Sequence, residues 1–273
     1  MNLDPLAFRG TAEYYTTGRP PYSPHLAHTM VEALGLDGTG RLLDVGCGPG
    51  VVAVMLAPFF ADVVGLDPEP GMLAEGSRRA HAAGRTNLRW VEGLAEQVSE
   101  LGLAPCRLVT FGQSFHRVDR LAVAEQVYDV LASGGAIAMI SHVVTGRPTP
   151  AGTGHPLIPY DAIRELIIWF QGDETRQYLD FWRQPGERFE DTLAKTRFGR
   201  PRVLYAPGVT DLVNTVDSVV AMYFSMSYAA PHRFGDRRLE FETALRQLLY
   251  RHSPEGRFWQ WPGDTEIVLA FKP

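Results

Sequence analysis

From residue 41 to residue 144, short apolar runs alternate with segments of helical spacing. Arg41–Val45, Ala61–Leu66, Asn87–Glu92, Arg107–Phe111 and Gly135–Val144 have the length and β-branched content of strands. Val51–Pro58, Gly71–Ala83 and Asp119–Leu131 read as the helices between them. The last has an Asp near its start and apolar residues at 121, 123, 127, 130 and 131. This alternation predicts an α/β fold with a parallel sheet and helices on both faces. Pro24–Leu34 predicts a further helix ahead of the first strand. Downstream, the Pro/Gly/Thr-rich stretch 145–158 breaks the pattern. Residues 159–200 read as helical and aromatic. Thr215–Ser227 and Arg237–Arg251 read as helices, and Arg202–Tyr205 and Glu266–Phe271 as strands.

Composition narrows the classes. With 45% hydrophobic and 21% charged residues, the 273-residue chain has the makings of a packed core. It shows neither an internal repeat nor a low-complexity tract. A net charge of -5 argues against a general nucleic-acid binder, whose footprint is basic. The run Arg197, Arg200, Arg202 reads as a solvated face. Two cysteines, Cys47 and Cys106, make no disulfide framework and fit a reducing cytoplasm. The opening residues lack the basic and apolar regions of a signal peptide. The runs Val51–Phe60 and Ile137–Ile140 fall short of the roughly 18–20 residues of a membrane span, so no membrane partner is expected. Aromatics are lopsided: 10 lie in residues 1–150 and 19 in residues 151–273. They read either as a second hydrophobic cluster or as the lining of an apolar substrate pocket.

The most specific chemistry is Leu42-Leu43-Asp44-Val45-Gly46-Cys47-Gly48-Pro49-Gly50. A buried strand runs into three glycines spaced by two, a turn that lets a ligand approach the backbone at a helix start. A nicotinamide or flavin site would want glycines at 46, 48 and 51, and residue 51 is Val. The spacing suits a ligand without a pyrophosphate there. Seventeen residues after Gly50, Asp67 ends the second strand, where a carboxylate can accept two bonds from a ribose diol.

Residues 42–72 resemble the first motif and following acidic motif of class I S-adenosylmethionine-dependent methyltransferases, in their bacterial small-molecule branch. The resemblance runs through about residue 144 and more loosely to the end. It implies a Rossmann-like seven-stranded, mostly parallel sheet with helices on both faces, a final strand antiparallel beside the fifth, and a helical lid insertion. The implied divisions are a gate at 1–40, a cofactor-binding core at 41–144, a substrate-covering insertion at 145–200, and closing helices and strands at 201–273.

Ala12-Glu13-Tyr14-Tyr15 followed by Gly18-Arg19-Pro20-Pro21-Tyr22 resembles the family's N-terminal gate, which implies that Tyr14 or Tyr15 and Arg19 approach the methionine end of the cofactor. Gly93-Leu94-Ala95-Glu96 sits where the family contacts adenine, although Leu94 replaces a frequent polar residue. Phe111 through His116 follows the fourth strand, where methyl donor meets acceptor, and Arg117 stands where relatives often carry an aromatic. The cofactor-binding set implied is Tyr14, Arg19, Asp44, Gly46, Cys47, Gly48, Gly50, Asp67, Pro68, Met72, Ala95, Glu96, Gly112, Gln113 and Phe115.

Ligands of open α/β sheets bind at the carboxyl ends of the strands. That rule selects His116, after strand four, and His142, at the end of strand five, as candidate general bases, with Tyr15 as an alternative phenol. His155 falls in the breaker loop and His232 in the C-terminal part; His25, His28, His81 and His252 lie on predicted helices and face solvent. Asp119 and Asp129 do not form a carboxylate cluster, and no His/Cys spacing suits a metal, so no metal is expected. Cys47 reads as a small turn residue and not as a nucleophile. The Thr110-Phe111-Gly112-Gln113 segment lacks the motif of DNA amino-methyltransferases.

The reading is methyl transfer from S-adenosylmethionine, with S-adenosylhomocysteine as product, to a small aromatic or apolar acceptor at O, N or C, in secondary metabolism. Competing readings are a non-methylating reaction such as cyclisation, a ligand-binding module without turnover, and a dehydrogenase. The insertion is long enough to swap or pack against a second copy, which leaves a homodimer open.

Overall fold

The computed structural model describes residues 7–143, 154–184, 186–210, 212–261 and 263–273. The core follows the predicted alternation. β1 (Arg41–Val45), α3 (Val51–Leu56), β2 (Asp62–Asp67), α4 (Pro70–Ala82), β3 (Leu88–Glu92), β4 (Cys106–Gly112), α5 (Arg120–Val130) and β5 (Leu131–His142) succeed one another. α1 (Ala12–Gly18) and α2 (Leu26–Leu34) precede them. After β5 come α6 (Tyr160–Gln171), α7 (Asp173–Arg183), α8 (Phe189–Leu193), β6 (Arg202–Ala206), β7 (Leu212–Thr215), α9 (Val216–Phe224), α10 (Arg238–His252), β8 (Arg257–Gln260) and β9 (Thr265–Phe271).

Seven strands form one sheet in the order β3-β2-β1-β4-β5-β9-β6. β1 to β5 pair in parallel, and β9 inserts antiparallel between β5 and β6. Connections turn one way from β1 to β2 and β3 and the other way to β4 and β5. The strand order therefore reverses between β1 and β4, and open α/β sheets leave a crevice at such a point. Strands buried on both faces favour continuous apolar runs, which Val63–Leu66 and Ala136–Ile140 supply; Leu42–Val45 is equally buried, with Asp44 as its one polar residue. One face packs Phe111, Phe115, Val123 and Val127 under α5 and α8; the other packs Leu26, Met30, Val52 and Leu56 of α2 and α3.

Several limits and elements differ from the sequence reading. β5 begins at Leu131, directly after α5, with a register shift opposite Cys106 and Leu108. Val144 and residues 145–153 of the predicted breaker lie outside the described residues. β7 and β8 form a separate two-stranded sheet that the sequence reading did not assign. Each is four residues long, and a buried Asn214–Gln260 side-chain bond of 2.9 Å interrupts any apolar alternation.

Eight of the 19 C-terminal aromatics belong to a third core. Phe224, Phe234, Phe241 and Phe258 are buried with Ile163 and Ile167, and Phe234 stacks on Phe241 at 3.9 Å between centroids. α7 differs, because none of its residues is buried, and it carries Tyr178, Phe181 and Trp182. α1 docks on α9 through Gly18, where an added Cβ would lie 2.3 Å from the Ala221–Met222 backbone. Among the described residues, no helix is long and apolar enough to cross a membrane. No group of three or more His, Cys, Asp or Glu among them is placed to hold a metal.

Candidate functional site

A cavity of about 450 Å³ lies where the strand order reverses, over the carboxyl ends of β1, β2 and β4. Its floor is the glycine turn. Gly46, Gly48 and Gly50 have φ of 62°, 52° and 69°, the left-handed region that costs other L-residues roughly 1–2 kcal/mol. Space forbids a side chain at two of them. A Cβ on Gly46 would meet the Ser114 Cβ at 2.6 Å, and one on Gly50 would meet the Trp90 ring at 2.3 Å. Trp90 also fills the space beside Gly65 and Gly76, so one indole wedges the turn against β2 and α4.

Hydrogen bonds hold the turn. Asp44 is buried and accepts from the Ala53 N–H at 3.1 Å and the Thr110 hydroxyl at 2.7 Å. Burial raises its pKa to about 7, despite those two bonds. It anchors α3 to β4 and is not a wall of the cavity. The Cys47 N–H donates to the Leu66 carbonyl at 3.0 Å. The Cys47 thiol points under the turn toward Gly65, and burial pushes its pKa well up, which leaves no thiolate for nucleophilic work. Ser114 donates to the Val45 carbonyl at 2.6 Å.

Asp67 ends β2 and borders the cavity. Its Oδ2 accepts from the Gly48 N–H at 2.8 Å and its Oδ1 from the Glu69 N–H at 3.0 Å. A carboxylate has about four lone-pair sites, so one on each oxygen remains for a ligand diol. Burial raises its pKa, opposed by these two amides.

The remaining walls come from four segments. Tyr15 and Phe8 come from the N-terminal segment, and Pro68, Glu69 and Met72 follow β2. Gly93, Leu94, Ala95 and Glu96 follow β3, and Gly112, Gln113, Ser114, Arg117, Val118 and Asp119 follow β4. Gln113 adopts φ 55°, a strained conformation for a non-glycine, while its N–H donates to the Ile140 carbonyl at 2.9 Å. Arg117 lies over the Phe8 ring at 4.7 Å and ties the N-terminal segment to the site. The lining carries Asp67, Glu69, Glu96 and Asp119 against one guanidinium. Such a field disfavours a pyrophosphate and suits a cationic, hydroxyl-bearing ligand.

Of the residues singled out from sequence, Tyr15, Gly46, Gly48, Asp67, Pro68, Met72, Ala95, Glu96, Gly112 and Gln113 line the cavity. Cys47, Gly50 and Asp44 shape the turn from behind. Phe115 is core, packed edge-on against Phe111 and Phe189. Tyr14 turns away: its ring packs on Phe224 and its hydroxyl accepts from Arg238 at 2.5 Å. Arg19 lies outside the lining, with its guanidinium 4.8 Å from the centroid of the Tyr15 ring.

His116 meets the edge of Trp182 at 5.6 Å, and His142 stacks on Tyr22 at 4.9 Å. Burial and nearby guanidinium groups lower both histidines to a pKa of about 4, so both are neutral at pH 7. Phe8, Glu69, Ser114, Val118 and Asp119 escaped the sequence reading. Asp119 was visible only as a helix cap, and it does cap α5, accepting from Ala122 N–H at 3.1 Å. The Arg197 run is surface, as expected, with Arg197 paired to Glu125 and Asp129.

The family model for a methyltransferase domain matches residues 42–135, which covers the glycine turn, Asp67 and the segments after β3 and β4. A ubiquinone biosynthesis O-methyltransferase of Azorhizobium caulinodans is 34% identical over 106 residues, covering 39% of this chain and 37% of that protein. The methyltransferase cfoB of Aspergillus candidus is 31% identical over 150 residues, covering 52% of this chain and 45% of that protein. The chain thus spans less than half the length of these two relatives. A crystal structure described as a precorrin 8w decarboxylase from Methanobacterium thermoautotrophicum shares the fold, with a TM-score of 0.50 at 12% identity over 93% of this chain and 94% of that one. Residues 42–135 thus match a methyltransferase domain, set within a seven-stranded Rossmann-like sheet.

Proposed function

We propose that the protein transfers a methyl group from S-adenosylmethionine to a small organic acceptor. The observation that carries this reading is the acid-rich cavity over the left-handed glycine turn, with two free lone-pair sites on Asp67. When bound, the cofactor supplies an electrophilic methyl on a sulfonium.

The chain's own residues do the rest. The glycine turn brings backbone against the ligand. Asp67 takes the ribose diol, Leu94 and Ala95 cover the base, and the Tyr15 ring closes over Gly48, where an added Cβ would be 4.0 Å from it. Well-oriented reactants gain roughly 7–11 kcal/mol from placement alone, so positioning carries most of the burden. Where the acceptor must lose a proton, His116 or His142 receives it. Both are neutral at pH 7 and belong to the carboxyl ends of β4 and β5.

Our reading puts the acceptor beside α7, and the contact of Trp182 with His116 supports it. An aromatic or apolar acceptor suits that contact, and a secondary metabolite is one such class. The relative named for ubiquinone biosynthesis as an O-methyltransferase supports oxygen as the acceptor atom. Two buried free cysteines support a cytoplasmic location as part of this reading. The test is calorimetric titration with S-adenosylhomocysteine, followed by turnover with candidate acceptors. Micromolar binding and release of S-adenosylhomocysteine with an acceptor are expected; absence of binding would overturn the reading.

A further inference from the structure

We propose that Trp182 is the positioning residue for His116, and that α7 carries it as a cover hinged at Gly172. The proposal rests on the methyltransferase reading for its purpose, which is to enclose an acceptor beside His116. Its geometry stands on the contacts of α7 itself.

The two helices of the α6–α7 hairpin are held by different forces. α6 buries Ile163, Ile167 and Ile168, and the first two fix it in the third core. α7 buries no residue. Ion pairs tie it to α6 instead: Arg164 with Asp180, Arg176 with Glu165 at 3.2 Å, and Arg183 with Asp161 at 2.6 Å. The acids of these pairs are 54%, 55% and 87% exposed, and exposed pairs contribute little each and are screened by salt. Between the helices Gly172 has φ 89° and ψ -169°, a region essentially reserved for glycine. A Cβ there would meet nothing within 4 Å, so the joint is free of packing on that side. A glycine joint next to a helix without buried residues is a hinge.

The apolar face of α7 points this hinge at His116. Tyr178 and Trp182 lie about one turn apart on that face, with ring centroids 6.1 Å apart. The Tyr178 hydroxyl is 3.4 Å from Oγ of Ser227, which is buried after α9. Trp182 meets the imidazole of His116 edge-on at 5.6 Å, with 81° between the rings. Ser114 and Arg117, on either side of His116 in the chain, line the cofactor cavity. The indole therefore covers one side of a half-buried imidazole beside the cofactor. With the cover down, it fixes the ring and shuts water from it. With the cover raised, the same side is open to an acceptor. The charges that act on His116 are Arg117 on its own turn, Arg120 at the start of α5, and Arg19 after α1. On α7, Asp180 and Arg183 near Trp182 are engaged with Arg164 and Asp161. Removing the indole thus changes the burial of His116 and none of these charges.

The test uses the full chain in two measurements. Hydrogen exchange read by mass spectrometry compares Tyr160–Gln171 with Asp173–Arg183. The amides of α7 should exchange about tenfold or more faster than those of α6, with the step at Gly172, and faster again in about 1 M salt, where the screening length falls to about 3 Å. This comparison needs no variant to fold. NMR of histidine-labelled protein, assigned with His116→Gln, then follows the imidazole. Its midpoint, about 4 in the unaltered protein, should rise by about one unit or more in Trp182→Ala and stay within about half a unit in Trp182→Phe. His142, stacked on Tyr22, is the internal control and should stay in place in both variants. A merely structural Trp182 would lower the denaturation midpoint and leave the titration of His116 unchanged.

Exchange of α7 as slow as that of α6 would overturn the hinge. A His116 midpoint unmoved by Trp182→Ala, or a His142 midpoint that rises with it, would overturn the positioning role. Neither measurement contains S-adenosylhomocysteine, so failure of the unaltered protein to bind that ligand would strike the methyltransferase reading separately.

Discussion

Removal of the Asp67 carboxylate is the sharpest probe of the cofactor site. Its two oxygens each spend one lone pair on a backbone amide, at 2.8 Å and 3.0 Å, and each keeps one for a ribose hydroxyl. Hydrogen bonds to a charged group contribute about 1.5–3 kcal/mol each, so the diol stands to lose roughly 3–6 kcal/mol in Asp67→Ala. Water entering the vacated space offsets part of this, and about 3 kcal/mol, or roughly a hundredfold in Kd, is the expected loss. Asp67 also pins the Gly48 and Glu69 amides, so a bare loss of affinity would not separate ligand contact from turn support.

A double-mutant cycle does separate them. S-adenosylhomocysteine and its 2′,3′-dideoxy analogue are titrated calorimetrically into the wild type and the Asp67→Ala protein. A coupling of about 3 kcal/mol between the carboxylate and the diol is expected. If the substitution weakens both ligands equally, Asp67 only supports the turn and the diol assignment is wrong.

Other expectations follow from the packing and the charges. Gly50→Ala must hold a left-handed φ of 69° and overlap the Trp90 ring, which together should destabilise the fold by about 2–5 kcal/mol in urea denaturation; an unchanged midpoint would contradict the wedge. His116 and His142 titrate near about 4 in the fold against 6.5 for the free side chain, so their contribution to stability is complete above pH 6.5 and is lost as pH falls through 4. Each loss is on the order of 3 kcal/mol. Asp44, raised to about 7, acts in the opposite sense: its contribution is full below the ordinary carboxylate range and is lost as pH rises through 7. NMR should show both imidazoles neutral down to pH 5.5, whereas a midpoint near 6.5 for either would refute the burial. Phe241→Ala removes a fully buried ring stacked on Phe234 and should cost about 3–5 kcal/mol of stability in denaturant melts; a loss under about 1 kcal/mol would show that the third core is loosely packed.

The central strands β1, β2, β4 and β5 were legible because they are buried on both faces and largely apolar. The glycine turn and Asp67 were legible because their chemistry is local: left-handed backbone at Gly46, Gly48 and Gly50, and a carboxylate at a strand tip. What escaped depends on contacts between distant segments. Nothing near Trp90 in the chain announces that its ring fills space beside Gly50, Gly65 and Gly76. Tyr14 and Tyr15 are neighbours with the same chemistry, and only the docking of α1 on α9 sends one to Phe224 and the other to the cavity. The C-terminal aromatics carry no sign of whether they line a pocket or build a core, and the phenylalanines of α9 and α10 build a core.

Transfer of the methyl group is the central claim, and labelled cofactor tests it directly. Purified protein is incubated with methyl-deuterated S-adenosylmethionine and a library of aromatic acceptors, and products are read by mass spectrometry. A product carrying the trideuteromethyl group, formed one-to-one with S-adenosylhomocysteine, is the expected result. Failure to bind S-adenosylhomocysteine together with no labelled product would contradict it.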